Sequence, residues 1–563
     1  MNHRLLILLF IMCAPLAIAQ SKREGAITGR VLGDDGRPVA GVDVNAYRVG
    51  VKRGSEHSAV SDEEGRFQFN NLASGVYSLD ASLPGFIVEG ASHAGAVYRI
   101  GEQTTIRLTR GGVITGRVTD EVGDPLVAIA VLAGRARGLE SHEADSSQEA
   151  GLRSKGGGTT DDRGVYRIYG LPPGVYVVGI GDGISDWGDS QQLRRDAPTY
   201  YPSVSRAAAA EITLRGSEEA SGIDIRHRGE PGRTLSGVVT GGAEASRPFS
   251  YTGIRLRSVE AGQVEAETGI HNSRAFAFSG LPDGEYELQA MRQGPDDEPG
   301  ARSLPQRVSV KGADLTGIEL KPLNLGSIAG RVIVEAAAKK CEPNPRQSFV
   351  EEMSLRALPA EPKRVADAWS PWFRFGSAPD ANGEFTMRNL DAGRYFIAAD
   401  LPSDDWYLRE VNVPAAAPIA SRRTAAAKKP AESAHNGIVV KSGEKLSGVE
   451  VKVAEGAASI AGKVALAKET ANAPKQIRVH LVPVETDDFW RYAETIADGD
   501  GAFEFKRLAP GKYWLHTEPM SETIHPVAWN AAERAKLRRA AEATKQEIEL
   551  QPCQREAFGV RRP

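Results

Sequence analysis

The stretch DEEGRFQFNNLASGVYSL, residues 62–79, has the pattern of a strand, a turn and a second strand. It recurs four more times along the 563 residues of the chain. The other copies are DDRGVYRIYGLPPGVYVV from Asp161, HNSRAFAFSGLPDGEYEL from His271, DANGEFTMRNLDAGRYFI from Asp380 and DGDGAFEFKRLAPGKYWL from Asp498. The sequence therefore predicts five copies of one structural unit.

The first turn of the unit is predicted by an aspartate three residues before a glycine. The aspartate side chain can cap a turn, and glycine readily adopts the positive φ that such turns require. The pairs are Asp62 and Gly65, Asp161 and Gly164, Asp380 and Gly383, and Asp498 and Gly501. The third copy has His271 and Arg274 at these positions, so we expect its turn to differ.

A strand with one buried face is predicted after this turn, because alternate residues are apolar. These residues are Phe67 and Phe69, Tyr166 and Ile168, Phe276 and Phe278, Phe385 and Met387, and Phe503 and Phe505. Each copy then has a leucine, a turn glycine and a tyrosine two residues later: Tyr77, Tyr176, Tyr286, Tyr395 and Tyr513. We predict that each tyrosine donates a hydrogen bond to nearby backbone, as in the tyrosine corner of β-sandwiches.

Each copy opens with a short motif in which a glycine stands between apolar residues. The motifs are ITGRV from Ile27, ITGRV from Ile114, LSGVV from Leu235, IAGRV from Ile328 and IAGKV from Ile460. Their glycines are Gly29, Gly116, Gly237, Gly330 and Gly462. A glycine inside a strand marks a bulge or a close approach by other atoms, so we predict a packing role.

A closing strand is predicted near Ile106, Ile223, Ile318, Val449 and Ile548. Short strands separated by turns, with almost no helical periodicity, predict an antiparallel sandwich for each copy. One short helix is predicted in the segment rich in Ala, Lys, Arg and Glu that follows Trp529. The predicted fold class is all-β, with five sandwiches in tandem and one C-terminal helical insertion.

The predicted organisation has a signal peptide at residues 1–19 and sandwiches at residues 25–110, 111–231, 232–324, 325–456 and 457–563. The fourth sandwich contains an Ala-, Pro- and Lys-rich insert at residues 414–436, and the second has an insert that starts at Gly138. We expect both inserts to be flexible, because their composition is low in large apolar residues.

Export is predicted by the first residues, which combine His3 and Arg4, an apolar run from Leu5 to Cys13, and cleavage after Ala19. A lipoprotein processed at Cys13 is the alternative, although Met12 is bulky where such a signal has a small residue. No later run reaches the roughly 20 apolar residues of a membrane helix. We therefore expect a secreted or periplasmic protein of the cell envelope with no transmembrane segment after signal removal.

Two cysteines, Cys341 and Cys553, remain after signal removal, in a compartment where disulfides persist. A bond between them would join the fourth and fifth repeats, and two unrelated thiols are the alternative. The chain has 69 Lys and Arg against 73 Asp and Glu, which argues against a basic surface for nucleic acid.

The combination of ITGRV with DEEGRFQFNNLASGVYSL resembles the carboxypeptidase regulatory-like domain, a transthyretin-like or prealbumin-like β-sandwich of exported bacterial proteins. The similarity is good for copies one, two and five and weaker for copies three and four. It implies five prealbumin-like sandwiches. Such domains also accompany zinc carboxypeptidases, recur as non-catalytic modules and are grouped near carbohydrate-binding sandwiches.

Catalytic motifs are largely missing from the sequence. HRGE, from His227 to Glu230, matches the short part of a zinc carboxypeptidase site, but one such match is expected by chance. The sequence has no G-x-S-x-G, P-loop, H-E-x-x-H or C-x-x-C motif. The DGDG turn from Asp498 lacks the ligand ladder of a calcium loop, so a plain turn is favoured. We predict no catalytic residue, metal or cofactor.

Aromatic residues outside the shared pattern are the candidate binding residues. They are Trp369, Trp372 and Phe373 in copy four, Phe489, Trp490 and Tyr492 in copy five, and Tyr200 and Tyr201 in copy two. Because alternate strand residues face opposite sides, one core cannot bury all the rings of a stretch. Rings beside carboxylates such as Asp487 would suit stacking on sugars, and packing between domains is the alternative.

Three functions fit these observations. The first is an exported non-catalytic binding or scaffold protein that meets polysaccharide or envelope proteins. The second is a secreted zinc peptidase or other hydrolase, or its regulatory partner, which rests on the resemblance and HRGE alone. The third is a mechanical spacer.

Overall fold

The structure is a computed structural model. It describes residues 24–50, 56–89, 96–136, 157–181, 193, 195–241, 251–260, 264–271, 273–292, 294, 298–335, 341, 348–360, 376–414, 431–464, 477–519, 530–544 and 546–560. The predicted signal peptide and the candidate residues Trp369, Trp372 and Phe373 lie outside these ranges.

The first two repeats consist of short strands joined by turns. Repeat 1 contains β1 (Glu24–Gly33), β2 (Asp43–Arg48), β3 (Glu56–Val60), β4 (Arg66–Ala73), β5 (Val76–Ser82), β6 (Phe86–Val88), β7 (Tyr98–Arg99) and β8 (Gln103–Arg110). Repeat 2 contains β9 (Gly112–Thr119), β10 (Ala130–Arg135), β11 (Gly157–Thr159), β12 (Val165–Leu171), β13 (Gly174–Ile180), β14 (Thr199–Tyr200), a 3-10 turn (Arg206–Ala208), β15 (Ile212–Leu214), β16 (Glu219–Ala220) and β17 (Ile225–Arg226).

The third and fourth repeats have the same plan. Repeat 3 contains β18 (Arg233–Val239), β19 (Tyr251–Ser258), β20 (Val264–His271), β21 (Ala275–Leu281), β22 (Gly284–Arg292), β23 (Ala301–Arg302), β24 (Gln306–Val310), β25 (Leu315–Leu320) and β26 (Leu323–Asn324). Repeat 4 contains β27 (Gly326–Glu335), a 3-10 turn (Val350–Glu352), β28 (Ser354–Pro359), β29 (Glu384–Leu390), β30 (Gly393–Asp400), β31 (Trp406–Pro414), β32 (Ala431–Ser433), β33 (Ile438–Val440) and β34 (Lys445–Glu455).

The fifth repeat adds the predicted helix to the sandwich. It contains β35 (Ala458–Val464), β36 (Ile477–Pro483), a 3-10 turn (Phe489–Arg491), β37 (Ala493–Ile496), β38 (Ala502–Leu508), β39 (Gly511–Pro519), α1 (Ala531–Thr544), β40 (Glu547–Leu550) and β41 (Arg555–Val560). Leu537 and Ala541 of α1 pack against Val482, so the helix covers the sheet that contains β36.

Across the described residues the strands form ten sheets, two in each repeat, and a separate hydrophobic cluster fills each sandwich. In repeat 1 the strand orders are β4-β1-β8-β6 and β3-β2-β5-β7. The predicted all-β array of five sandwiches is confirmed. The predicted inward pairs, such as Phe67 and Phe69, are buried in every repeat.

One pairing differs from the expected antiparallel pattern. The opening strand pairs with the closing strand in parallel, as β1 does with β8 and β27 with β34. These two strands are separated by the rest of the unit, and a long connection through the second sheet is what a parallel pair requires.

The strand predicted near Ile548 is present, but it is not the closing strand of the sandwich. Ile548 lies in β40, which pairs with β39 in the other sheet, and the parallel partner of β35 is β41. The alternation of EIEL fits either sheet edge equally well, so the local pattern did not distinguish them. The insert at residues 414–436 was expected to be flexible, and this is wrong for its later part. There, β32 pairs with the end of β31.

The predicted turns form as expected. The Asp62 carboxylate accepts the Arg66 amide at 2.7 Å, and Gly65 has φ of +73°. Repeats 2, 4 and 5 have the same arrangement. In the third repeat the Ser273 hydroxyl accepts the Ala275 amide instead, so this turn does differ.

The predicted tyrosine corner is present five times. Each hydroxyl donates to the carbonyl four residues earlier, at 2.8 Å for Tyr77, 2.6 Å for Tyr176, 2.9 Å for Tyr286, 2.9 Å for Tyr395 and 2.7 Å for Tyr513. Each bond fixes the turn between two strands that belong to different sheets. Within the described part of the chain, no helix combines the length and apolar character needed to cross a bilayer.

Candidate functional site

In several repeats, the residue before the shared leucine lies at a β-bulge and contacts the preceding repeat. The residue before the shared leucine has positive φ in every repeat: Asn71 (+56°), Gly170 (+72°), Gly280 (+74°), Asn389 (+62°) and Arg507 (+58°). Gly170 lies beside Gly85 of repeat 1, and the Asn389 side chain accepts the Gly300 amide of repeat 3 at 2.6 Å. The bulge is therefore a recurrent point of contact between neighbours.

Arg507 is the unusual member of this series. Glycine and asparagine tolerate positive φ, whereas an arginine there is strained and needs compensating contacts. Its Nη1 lies 2.9 Å from Asp400 Oδ1 and its Nε lies 3.1 Å from Asp404 Oδ1, both in repeat 4. These two ion pairs hold the arginine across the interface between repeats 4 and 5.

Aromatic residues of the 3-10 turn fill the same interface. Phe489 is 6% exposed, and its ring centre lies 4.7 Å from that of Phe396 in repeat 4. Trp490 packs against the core of repeat 4 and donates its Nε1 proton to the Arg409 carbonyl at 2.9 Å. Both rings therefore contact repeat 4, so packing between domains, one of the two roles that the sequence left open, does occur.

A disulfide joins the same two repeats. Cys341 of repeat 4 is bonded to Cys553 of repeat 5, with their Cα atoms 5.2 Å apart. The Cys553 amide donates to the carbonyl of Gly456, in the short connection between β34 and β35. The pairing that the sequence left undecided is thus made, and it fixes repeat 5 where the chain enters it.

Between these contacts lies a cavity of about 300 Å³. Its lining is Ile397, Ala398, Ala399, Leu401 and Leu408 from repeat 4, and His480, Phe489, Trp490, Tyr492, Ala493, Glu494, Arg507 and Leu537 from repeat 5. The volume is at the lower end of the range of small-molecule sites, and a mostly apolar wall with a few polar groups is typical of them.

His480 is the buried polar group of this wall, with an exposed fraction of 1%. Its Nε2 lies 3.0 Å from Glu518 Oε1, and its Nδ1 lies 3.8 Å from Glu494 Oε2. The bond with His480 lowers the pKa of the Glu518 carboxyl. Burial, together with the neighbouring His480, lowers the pKa of His516, which stands opposite His480 on β39. The imidazole is thus held between two carboxylates at the cavity.

Tyr492 is expected to ionise far above the range of an ordinary phenol. Burial and its hydrogen bond to Asp487, of 2.7 Å, raise the pKa of Tyr492 to about 12. Because an ordinary tyrosine has a pKa of about 10, this stabilisation is complete below about pH 10 and is lost as the pH rises through 12. The ultraviolet difference spectrum between the wild type and Tyr492→Phe should titrate near the raised value. A midpoint near the ordinary value would contradict the described environment.

The candidate tyrosines of repeat 2 do not form a binding surface. Tyr200 is 2% exposed, and its ring lies over Gly179, where an added Cβ would be 2.6 Å from Tyr200 Cδ1. Tyr201 packs against the core of the same repeat. The stacking role considered for Tyr200 is therefore wrong, because its ring is buried against Gly179, which has no side chain.

The HRGE segment does not assemble a metal site. His227 Nε2 lies 3.4 Å from Asp196 Oδ2, and Glu230 pairs with Arg228. Among the described residues, no three His, Cys, Asp or Glu side chains are grouped as metal ligands would be. In the DGDG turn, Asp498 Oδ1 accepts the amides of Asp500 and Ala502, as in a plain turn.

Sequence reasoning found three members of the cavity wall, Phe489, Trp490 and Tyr492, and missed His480 and Arg507. A signal for Arg507 existed, since the aligned repeats have Asn or Gly at its position. For His480 there was none, because a single histidine in an apolar strand does not indicate which domain will pack against it.

Comparisons with known proteins give one family match. Residues 26–109 match the model of the carboxypeptidase regulatory-like domain. No curated protein sequence matches the chain significantly.

Among solved structures, the minor pilin GBS52 of Streptococcus agalactiae is 14% identical over 37% of this chain and 97% of its own, with a TM-score of 0.19. The major pilin BcpA of Bacillus cereus is 9% identical over 53% of this chain and 99% of its own, with a TM-score of 0.12. The Bacillus anthracis TIE protein is 14% identical over 53% of this chain, with a TM-score of 0.14, and the chain spans 50% of that protein. Likeness at this level carries no argument about function.

Proposed function

We propose that this chain is an exported, non-catalytic binding and scaffold protein of the cell envelope. Its first repeat matches the carboxypeptidase regulatory-like domain, and four similar sandwiches follow it. The bond between Cys341 and Cys553 supports export, because structural disulfides persist in oxidising compartments. The contacts between repeats 4 and 5 support a fixed scaffold rather than a flexible chain.

We propose further that the cavity between repeats 4 and 5 binds carbohydrate. The observation that carries this proposal is its lining, in which the rings of Phe489, Trp490 and Tyr492 share one space with His480 and Glu494. A sugar ring has an apolar C–H face that packs on an aromatic ring, and hydroxyl groups that hydrogen-bond to carboxylate and imidazole.

The size of the cavity limits the ligand. One water molecule takes about 30 Å³ of liquid volume, so about 300 Å³ corresponds to roughly ten water-sized atoms. A single pyranose ring is close to that size, whereas a longer polysaccharide segment exceeds it. The proposed ligand is therefore a terminal sugar of an envelope glycan or a free monosaccharide.

Replacing Trp490 is expected to weaken this binding strongly. Trp490→Ala removes the largest ring of the wall, and we expect affinity for the best-bound methyl glycoside of a pyranoside panel to fall about tenfold or more. Isothermal titration of the purified, oxidised chain measures it. Trp490→Phe keeps an aromatic face but lacks the donor to the Arg409 carbonyl, so it should retain part of the affinity.

The matched control is Tyr169→Ala, which removes an exposed ring of repeat 2 far from the cavity lining. Its affinity should equal that of the wild type. Equal loss in both variants would indicate non-specific stacking on surface rings, and no binding of any glycoside by the wild type would refute the carbohydrate proposal.

The hydrolase alternative has no observation in its favour. It depends on His227 and Glu230, which are paired with Asp196 and Arg228 instead of facing a common centre. We therefore do not propose catalysis or a cofactor. The charge balance also gives no reason to propose nucleic acid as a partner.

A further inference from the structure

We propose that Arg99 of repeat 1 is a positioning residue for the cavity between repeats 4 and 5, and that it acts through Asp400 on Arg507. The proposal rests on the proposed function in one respect, that the cavity is the binding site. It adds a positioning role for repeat 1, which is remote in sequence from the cavity and contributes no residue to its lining.

Arg99 is a buried cation held by repeat 4. Its exposed fraction is 5%. Its Nε donates to the Glu352 carbonyl at 2.9 Å, and its Nη2 donates to the Leu401 carbonyl at 3.0 Å and to Asp400 Oδ2 at 3.1 Å. A buried guanidinium needs this many acceptors, because an unpaired one would be strongly destabilising.

Asp400 connects Arg99 to the cavity. One carboxylate oxygen of Asp400 accepts from Arg99, and the other accepts from Arg507 at 2.9 Å. Arg507 lines the cavity, and so does Leu401, whose carbonyl accepts from Arg99. Repeats 1, 4 and 5 thus meet at the Asp400 carboxylate. Asp400 is the last residue of β30, which forms one wall of the cavity.

Arg99 has no counterpart in the other repeats. By strand pairing, its position corresponds to Thr213, Ser309, Val439 and Glu549. None of these four residues is buried, whereas Arg99 is. The arginine is therefore a specific feature of repeat 1 and not part of the shared sandwich core.

A second contact brings the same two repeats together. Gly50 of repeat 1 has φ of +77°, and an added Cβ there would lie 2.8 Å from the Ala378 amide nitrogen of repeat 4. Only a glycine permits this approach without a shift. Repeat 1 is thus seated on repeat 4 by backbone contact as well as by the Arg99 bonds.

Losing Arg99 should loosen the cavity wall without unfolding the sandwiches. Arg507 is strained by its positive φ and is held by Asp400 and Asp404. Without Arg99, the Asp400 side chain is no longer fixed by repeat 1, so it positions Arg507 less firmly. We expect hydrogen exchange of backbone amides in residues 397–401 and 506–508 to rise about tenfold in Arg99→Ala.

The experiment compares the oxidised full chain with five variants by hydrogen–deuterium exchange mass spectrometry, with no sugar present. The variants are Arg99→Ala, Arg99→Lys, Arg507→Ala, Arg37→Ala and the double variant Arg99→Ala/Arg507→Ala. Arg99→Lys keeps the charge near Asp400 but not the guanidinium donors to both carbonyls, so it should give an intermediate increase. Arg37→Ala, an exposed arginine of repeat 1 paired with Asp35, should match the wild type. The double variant Arg99→Ala/Arg507→Ala should show less than the sum of the two single effects.

Unchanged exchange in residues 397–401 and 506–508 of Arg99→Ala would overturn the proposal, as would an increase spread equally over all five repeats. A titration with the pyranoside panel then separates this proposal from the carbohydrate proposal. If the wild type binds no glycoside but the local exchange effect is present, the carbohydrate proposal fails and the role of Arg99 stands. Equal glycoside affinity of the wild type and Arg99→Ala contradicts the role of Arg99.

Discussion

Replacing Gly116 by Ala is expected to destabilise repeat 2 by about 3 kcal/mol, the upper part of the range for overpacking. A Cβ at this position would lie 2.0 Å from the Ile223 carbonyl oxygen and 2.5 Å from its carbon. These atoms are backbone, so no side-chain rotation relieves the clash. The Ile223 carbonyl also accepts the Tyr166 hydroxyl at 2.6 Å, and that bond would be disturbed as well.

Hydrogen exchange resolved by repeat measures this effect, because a chain of five domains does not unfold in one two-state step. Peptides of repeat 2 should exchange faster in Gly116→Ala, while those of repeats 4 and 5 should not. Gly216→Ala in the same repeat is the control, since its Cβ would meet only Pro173 Cγ, at 3.7 Å. Equal protection in both variants would show that the close approach is absent.

Removing the disulfide is expected to weaken the association of repeats 4 and 5 by about 3 kcal/mol, since native disulfides typically contribute 2 to 5 kcal/mol. The bond closes a segment of 212 residues, and long closed segments restrict the unfolded chain most in the entropy model. Cys341→Ser and Cys553→Ser each remove the same bond.

Chemical denaturation followed by Trp fluorescence measures this loss. The two single variants and the double variant should all have the same lowered midpoint, and reductant should lower the wild type to match. Different losses in the two single variants, or a wild type insensitive to reductant, would mean that Cys341 and Cys553 are not bonded to each other.

The repeated core was predictable because its signals are local. The Asp62 and Gly65 turn needs only a capping side chain and a positive φ, and the Tyr77 hydroxyl reaches a carbonyl four residues away. The opening glycine was also interpreted correctly. An added Cβ at Gly116, Gly237 or Gly330 would lie within 2.2 Å of the carbonyl oxygen of Ile223, Ile318 or Val449, respectively.

The packing of one sandwich on another was not predictable in the same way. EIEL near Ile548 has the alternation of any edge strand, and only the full sheet shows that β41 is the partner of β35. Arginine is usually exposed, so the sequence does not indicate that Arg99 is buried. Its burial depends on contacts with repeat 4, some 300 residues later.

The candidate site was half predictable for the same reason. Trp490 attracted attention because it lies outside the shared pattern, yet its partner, the Arg409 carbonyl, belongs to another repeat. His480 became part of a site only when repeat 4 covered it. The aromatic residues of the cavity could therefore be identified from the sequence of one repeat. Its polar residues could not, because they depend on how the repeats pack.

Saturation-transfer NMR on the oxidised full chain with a panel of methyl pyranosides tests most directly whether a sugar ring occupies the cavity between repeats 4 and 5. We expect saturation of the protein to reach the C–H protons of at least one pyranoside, with the strongest transfer to one face of its ring. This transfer should be strongly reduced in Trp490→Ala and unchanged in Tyr169→Ala. Transfer to no pyranoside, or transfer that survives unchanged in Trp490→Ala, would contradict the account.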